Sequence, residues 1–141
     1  MIDVAKNATS LITEAEQRQM MAKRIKRTLY VPPAGNKNAR LMTPWSRMGL
    51  TFSASGQRSQ WTIGAGSSCD IVIDAETVSG CHAVLVAEWN NGSYQWYICD
   101  SGSTNGTGIR DTWLQPNLMY RLENGETIWL GRSISVRLYT R

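Results

Sequence analysis

Histidine occurs once in this sequence, at His82, phenylalanine once, at Phe52, and lysine not at all after Lys37. Each shortage removes a class of function. One histidine leaves no His–His pair for a metal centre. The three cysteines, Cys69, Cys81 and Cys99, stand 12 and 18 residues apart with no C-x-x-C spacing, a poor set for zinc. Cys81 and His82 are adjacent, and neighbours on a strand point to opposite faces, so they do not readily form a nucleophile–base pair. With the acids scattered as well, no catalysis, metal or cofactor is expected. The glycines of GAGSSC (64–69) stop short of a G-x-G-x-x-G nucleotide fingerprint, because Cys69 takes the last glycine position and no helical segment follows. No stretch approaches the roughly 18 apolar residues that cross a bilayer. The opening MIDVAKNATS has no charged segment followed by an apolar one, so no secretory signal is expected. With an odd cysteine count, the thiols read as reduced and the protein as cytoplasmic.

What is present suits one globular domain with a modest core: 141 residues, 42% hydrophobic and 18% charged. The net charge of +4 is unevenly spread. Residues 1–44 hold eight basic residues against three acids, while 45–141 hold seven arginines against eight acids. The basic character therefore belongs to an N-terminal arm. There Val4, Ala8, Leu11, Ala15, Arg18, Ala22, Ile25 and Leu29 recur at alternating steps of four and three, one face of a helix over about 3–29. Asp3 is its N-cap and Pro32–Pro33 its stop. Arg18 and three alanines make that face thin, so the helix is expected to fray alone or to dock. The run KRIKR (23–27) suits the negative end of the helix dipole; the alternative is contact with an acidic partner surface, lipid or nucleic acid. Only one tyrosine and no other aromatic precedes Trp45, so sites for base stacking are scarce. VPPAGNKNARLMTP (31–44) reads as a linker, giving an arm over 1–44 and a domain over 45–141.

After Trp45 the hydrophobic period changes from helical to two. In SISVRLY, Ile134, Val136 and Leu138 alternate with Ser135 and Arg137; in SYQWYIC, Tyr94, Trp96 and Ile98 share a face. Further short apolar runs occur in MGLTF, QWTI, DIVI, AVLVAEW and ETIWL, with turn signals at Asn91-Gly92, Asn105-Gly106 and Asn124-Gly125. Short strands at near-regular spacing indicate an all-β sandwich or barrel. Five of the six tryptophans fall between 61 and 129 and are expected mostly in its core.

The loops between these strands form an ordered series: WTIGAGSSCDIVI, TVSGCHAVL, DSGSTNGTGI and LENGETIWLG. This series resembles the forkhead-associated (FHA) domain family, from about Met48 to Tyr139. The resemblance implies an FHA-like β-sandwich of about eleven strands with its recognition loops at one end, and a module that binds phosphothreonine in an extended peptide. A phosphate carries nearly two negative charges and three acceptor oxygens. Its binder needs a cation, backbone N–H groups in a glycine turn, and hydroxyl or amide donors. Gly64, Ala65 and Gly66 are the expected turn, Ser79 the hydroxyl, and Asn105 the amide that holds the ligand backbone. Gly80, Thr104, Gly106 and Arg110 complete the expected peptide-binding set. His82 and Thr107 are expected to order the loops.

The departures from the family pattern matter more than the matches. The family commonly has arginine where this chain has Ala65, and again where it has Gly80; a second asparagine is replaced by Arg110. A hydrogen bond to a charged group contributes on the order of 1.5–3 kcal/mol, so the missing cation weakens phosphate binding by roughly one to two decades. The expected function is a non-enzymatic protein–protein interaction adaptor or scaffold, weakly dependent on or independent of phosphothreonine, with a second contact through the arm. The alternatives are a phosphothreonine-peptide reader in which Arg110 or Arg58 replaces the lost cation, and an arm that binds nucleic acid or an anionic surface. The family recurs in signalling and in bacterial secretion machines, which implies a scaffold role in such an assembly.

Overall fold

Alternation along the strands decides the architecture. In β6 (Ser93–Asp100), every second residue, Tyr94, Trp96, Ile98 and Asp100, is buried. In β11 (Ile134–Thr140), Val136, Leu138 and Thr140 are buried while Arg137 and Tyr139 face water. A pleated strand sends successive side chains to opposite faces, so each such segment buries one face and two sheets must cover each other. The computed structural model describes residues 36–140 and has this arrangement, with no helix among them.

The remaining strands are β1 (Asn38–Thr43), β2 (Ser46–Ser53), β3 (Arg58–Gly64), β4 (Ile71–Val72), β5 (Ala83–Asn90), β7 (Thr107–Ile109), β8 (Thr112–Trp113), β9 (Met119–Leu122) and β10 (Glu126–Leu130). One sheet has the order β2-β1-β11-β10-β7-β8, the other β4-β3-β5-β6-β9. Every pairing is antiparallel except β3 with β4. Between the sheets lie Leu41, Ile63, Leu85, Ile98, Ile128 and Leu138, all fully buried. Truncating any one of them to alanine removes roughly 2–5 kcal/mol. The β5–β6 hairpin turns at Asn91-Gly92, whose φ values of 53° and 92° are those of a two-residue type I′ turn.

One expectation needs correction. The segment expected to be a linker contains β1, which pairs with β11 from Ala39 to Met42 and with β2 on its other side. The compact unit runs Pro33–Arg141, so the domain starts well before residue 45. Only Ala39 and Leu41 of β1 are buried; two apolar positions beside an arginine are a faint signal, and the neighbouring strands, not local propensity, make this segment a strand. The five tryptophans between 61 and 129 lie mostly in the core, as expected. Trp96 is buried and Trp61 and Trp89 pack on the core, but Trp113 and Trp129 are 49% and 38% exposed. The helix expected over 3–29 and the basic run 23–27 lie outside the described residues.

Candidate functional site: the loop cluster

Four loops meet at one end of the sandwich: residues 65–70 after β3, 73–82 after β4, 101–106 after β6 and 131–133 after β10. Backbone hydrogen bonds tie them to one another. The amides of Ala65 and Gly66 donate to the carbonyls of Ser79 and Gly80, at 2.9 and 3.0 Å. The Cys69 thiol donates to the same Gly80 carbonyl at 3.0 Å. The Ser101 amide donates to His82 O, and the Gly131 amide to Gly106 O at 2.8 Å. Asp70 closes the first loop on itself, accepting from the Thr62 amide and hydroxyl while its own amide donates to that hydroxyl.

Two buried polar groups organise the cluster. His82 is fully buried. Its Nδ1 accepts the Ser79 amide proton at 3.0 Å, and its Nε2 lies 2.9 Å from Gly106 O. An amide can only donate and a carbonyl can only accept, so the ring is the neutral Nε2–H tautomer. Both nitrogens are engaged in joining the second loop to the third, and neither faces a ligand. Cys81 is exposed while His82 points inward, so the two form no catalytic pair. Asp100 is the other anchor. Its carboxylate accepts the hydroxyls of Ser103 and Thr107, both at 2.6 Å, and the amides of Gly102 and Ser103 at 2.9 and 3.2 Å. Burial pushes this carboxyl up, but the hydrogen bonds from Ser103, Thr107 and the Gly102 and Ser103 amides outweigh it and hold it below the usual carboxylate range. The Ser103 hydroxyl in turn accepts the Gly106 amide at 3.0 Å. Burial, then the Asp100 charge, push the Cys99 thiol up, which makes it a poor nucleophile.

At Ser79 and Asn105 the outward chemistry is small and neutral, while the same loops carry exposed Asp74, Glu76 and Arg132. Ser79 Oγ accepts the Thr104 amide at 3.0 Å, which leaves its own proton to donate. The Asn105 amide nitrogen donates to Thr77 O at 2.9 Å. Its Oδ1 and second N–H remain for another chain, one acceptor and one donor on an exposed side chain. That pair suits the C=O and N–H of an extended backbone. Among the described residues, no three His, Cys, Asp or Glu side chains gather as a metal site.

The family model described as the FHA domain matches residues 61–131, half of the chain. The chain belongs to the FHA domain family. Solved structures share its fold. The Slr1951 protein from Synechocystis is 26% identical over 73% of this chain and 98% of its own, with a TM-score of 0.59. The FHA domain of the CT664 protein from Chlamydia trachomatis is 20% identical over 74% and 98%, at 0.60. The N-terminal FHA domain of Rad53p from S. cerevisiae, solved with a phosphothreonine peptide, is 18% identical over 73% and 93%, at 0.59. No curated protein matches.

In this FHA domain the residues anticipated for binding fall into three groups. Ser79, Thr104, Asn105 and Gly106 stand together, with His82 and Thr107 beneath them. Gly64, Ala65 and Gly66 do not form an outward nest of amides, because the Ala65 and Gly66 N–H groups are already consumed by the second loop. Those glycines permit close packing instead. A Cβ on Gly64 would lie 2.3 Å from Gly80 O, and one on Gly66 2.9 Å from the same atom. Arg110 and Arg58 do not take the place of the missing cation. Arg110 turns away at φ 51° and donates to Glu126 Oε1 at 2.8 Å and Arg121 O at 3.1 Å. Arg58 begins β3, about 20 Å along the strand from Gly64, and pairs with Glu88 at 3.1 Å. Asp100, Ser103, Thr77 and Gly131 were not singled out by the sequence. For Asp100 a signal existed: an acid opening a Gly/Ser loop commonly accepts amides two and three residues on.

Proposed function

We propose that this FHA domain is a non-enzymatic, cytoplasmic protein–protein interaction adaptor that holds an extended segment of a partner with little dependence on phosphothreonine. One observation carries the reading. The loops are locked into a donor–acceptor surface at Ser79 and Asn105, while Ala65 and Gly80 put no guanidinium at the two positions where the family resemblance implies one. Neutral groups recognise a backbone; they do not compensate the desolvation of a doubly charged ester. The Rad53p neighbour, solved with a phosphothreonine peptide, supports a peptide-binding role for this fold. It also motivates the rival reading, in which Ser79 still meets a phosphate.

A threonine-phosphorylated peptide library separates the two. The expected result is no binder tighter than about tens of micromolar, given one missing charged contact. A submicromolar hit that vanishes on dephosphorylation would establish the phosphate reader. The arm adds a second contact in this proposal, since residues 1–44 carry eight of the fifteen basic residues. Its contribution should fall steeply with added salt. A role as a scaffold in a signalling or bacterial secretion assembly follows from the family's recurrence there.

A further inference from the structure

The six-stranded sheet has an outer face as well as a buried one. Antiparallel partners share a face, so the register of β1 and β11 sets Arg40 opposite Tyr139 and Met42 opposite Arg137. Arg137 stands in turn opposite Thr127 of β10. These side chains alternate with the fully buried Leu41 and Leu138, so they point outward. The result is a two-by-two block, with the arginines on one diagonal and Met42 and Tyr139 on the other. Arg40, Arg137 and Tyr139 are exposed and Met42 is half-buried. Open clefts flank the block. One of about 620 Å³ has Arg40, Thr51 and Tyr139 in its lining, and one of about 480 Å³ has Met42, Thr127 and Arg137. Tyr139 lies six residues beyond Ser133 of the β10–β11 loop, roughly 20 Å along the strand, so the block is remote from the loop cluster.

The charge here is one-sided. No outward position of β1, β10 or β11 is Asp or Glu. Among the described residues, neither Arg40 nor Arg137 has a carboxylate within 4.0 Å. The acids at the neighbouring strand ends are engaged, Glu126 with Arg110 at 2.8 Å and Glu123 with Arg121 at 4.0 Å. Arg137 Nε donates to Thr127 Oγ1 at 3.1 Å. That bond fixes the guanidinium plane and leaves the paired terminal nitrogens for a carboxylate. Spacing then defines the ligand. Diagonal cross-strand positions such as Arg40 and Arg137 have Cβ atoms roughly 7–8 Å apart. In an extended chain, side chains at i and i+2 project from one face about 7 Å apart. Acids at two such positions reach both guanidiniums at once, while their neighbours rest on Met42 and Tyr139. Arg, Tyr and Met are enriched at protein interfaces, and Lys, Asp and Glu depleted. Nucleic acid fits less well, because a half-buried methionine is no platform for stacked bases. Two copies joined by this face about a twofold axis would oppose arginine to arginine.

We propose that the Arg40–Arg137 diagonal is a further docking surface, and that its occupant is an extended acidic segment of a partner protein with Asp or Glu at alternate positions. The surface acts independently of whatever the recognition loops hold.

The test uses the full chain and a fluorescein-labelled peptide of alternating Glu and Thr, followed by anisotropy. Its controls are alternating Gln and Thr, a Glu-Glu-Thr-Thr repeat of the same composition, and oligothymidylate of equal charge. Wild type should bind the alternating Glu peptide roughly tenfold tighter than the Gln peptide, and tighter than the paired repeat. Arg40→Ala and Arg137→Ala should each weaken it roughly fivefold to tenfold, the scale of one charge-assisted contact. Arg40→Glu combined with Arg137→Glu should transfer the preference to alternating Lys and Thr, a gain that misfolding does not produce. Asn105→Ala should change none of these affinities, which separates this outcome from that of the adaptor reading. Equal binding of the Glu and Gln peptides, of the two glutamate repeats, or an affinity unchanged in both alanine variants, would overturn the inference. So would oligothymidylate binding more tightly than the acidic peptide through the same two arginines.

Discussion

At the residue scale, the candidate site depends on a few buried polar atoms beneath Ser79 and Asn105. Asp100 accepts four hydrogen bonds, and an asparagine there has one oxygen and two protons to offer. Asp100→Asn should cost roughly 2–4 kcal/mol, read as a lower denaturation midpoint at pH 7. The carboxyl's folded-state pKa is lowered. Its stabilisation is therefore complete above the unfolded value of about 4 and is lost as pH falls through the folded one. Wild type should lose stability relative to Asp100→Asn only below about pH 4; a difference constant to pH 2 would contradict this. Gly64→Ala places a Cβ 2.3 Å from a backbone oxygen and should destabilise by a few kcal/mol. Gly80 is the opposite case, with nothing within 4 Å of a Cβ. Gly80→Arg should leave the melting temperature nearly unchanged and raise affinity for phosphothreonine peptides about tenfold. Ala65→Arg is a poorer graft, because Ala65 packs against the core.

At the element scale, β1 decides where the domain begins. It lies between β2 and β11 and buries Leu41 completely. A fragment starting at Pro33 should unfold cooperatively. One starting at Trp45 should not, because it leaves β11 an open edge and removes the strand that β2 pairs with among the described residues. Differential scanning calorimetry of the two fragments checks this, and equal transitions would contradict it. The contrast between β1 and β6 also explains what was legible. SYQWYICD announces itself by strict alternation, so an all-β sandwich or barrel was readable from period, and the family resemblance chose the sandwich. NARLMT has two inward apolar residues, and its strand character comes from partners distant in sequence. In the loops, side-chain chemistry was legible at Ser79 and Asn105. The direction of backbone N–H groups was not: nothing in GAG says that Ala65 and Gly66 donate inward. Nor does sequence tell that Trp113 faces water, since a two-residue strand such as β8 gives no period to read.

At the scale of the whole molecule, the loops at one end of the sandwich are tied to one another. The loops are joined by His82 and by a ring of backbone bonds, so binding requires little ordering. What this end presents is hydrogen-bonding capacity at Ser79 and Asn105. The most direct measurement is partner capture by wild-type and Asn105→Ala protein, before and after phosphatase treatment of the captured material. The account predicts a partner retained after phosphatase and lost with Asn105→Ala. A partner released by phosphatase alone would contradict it.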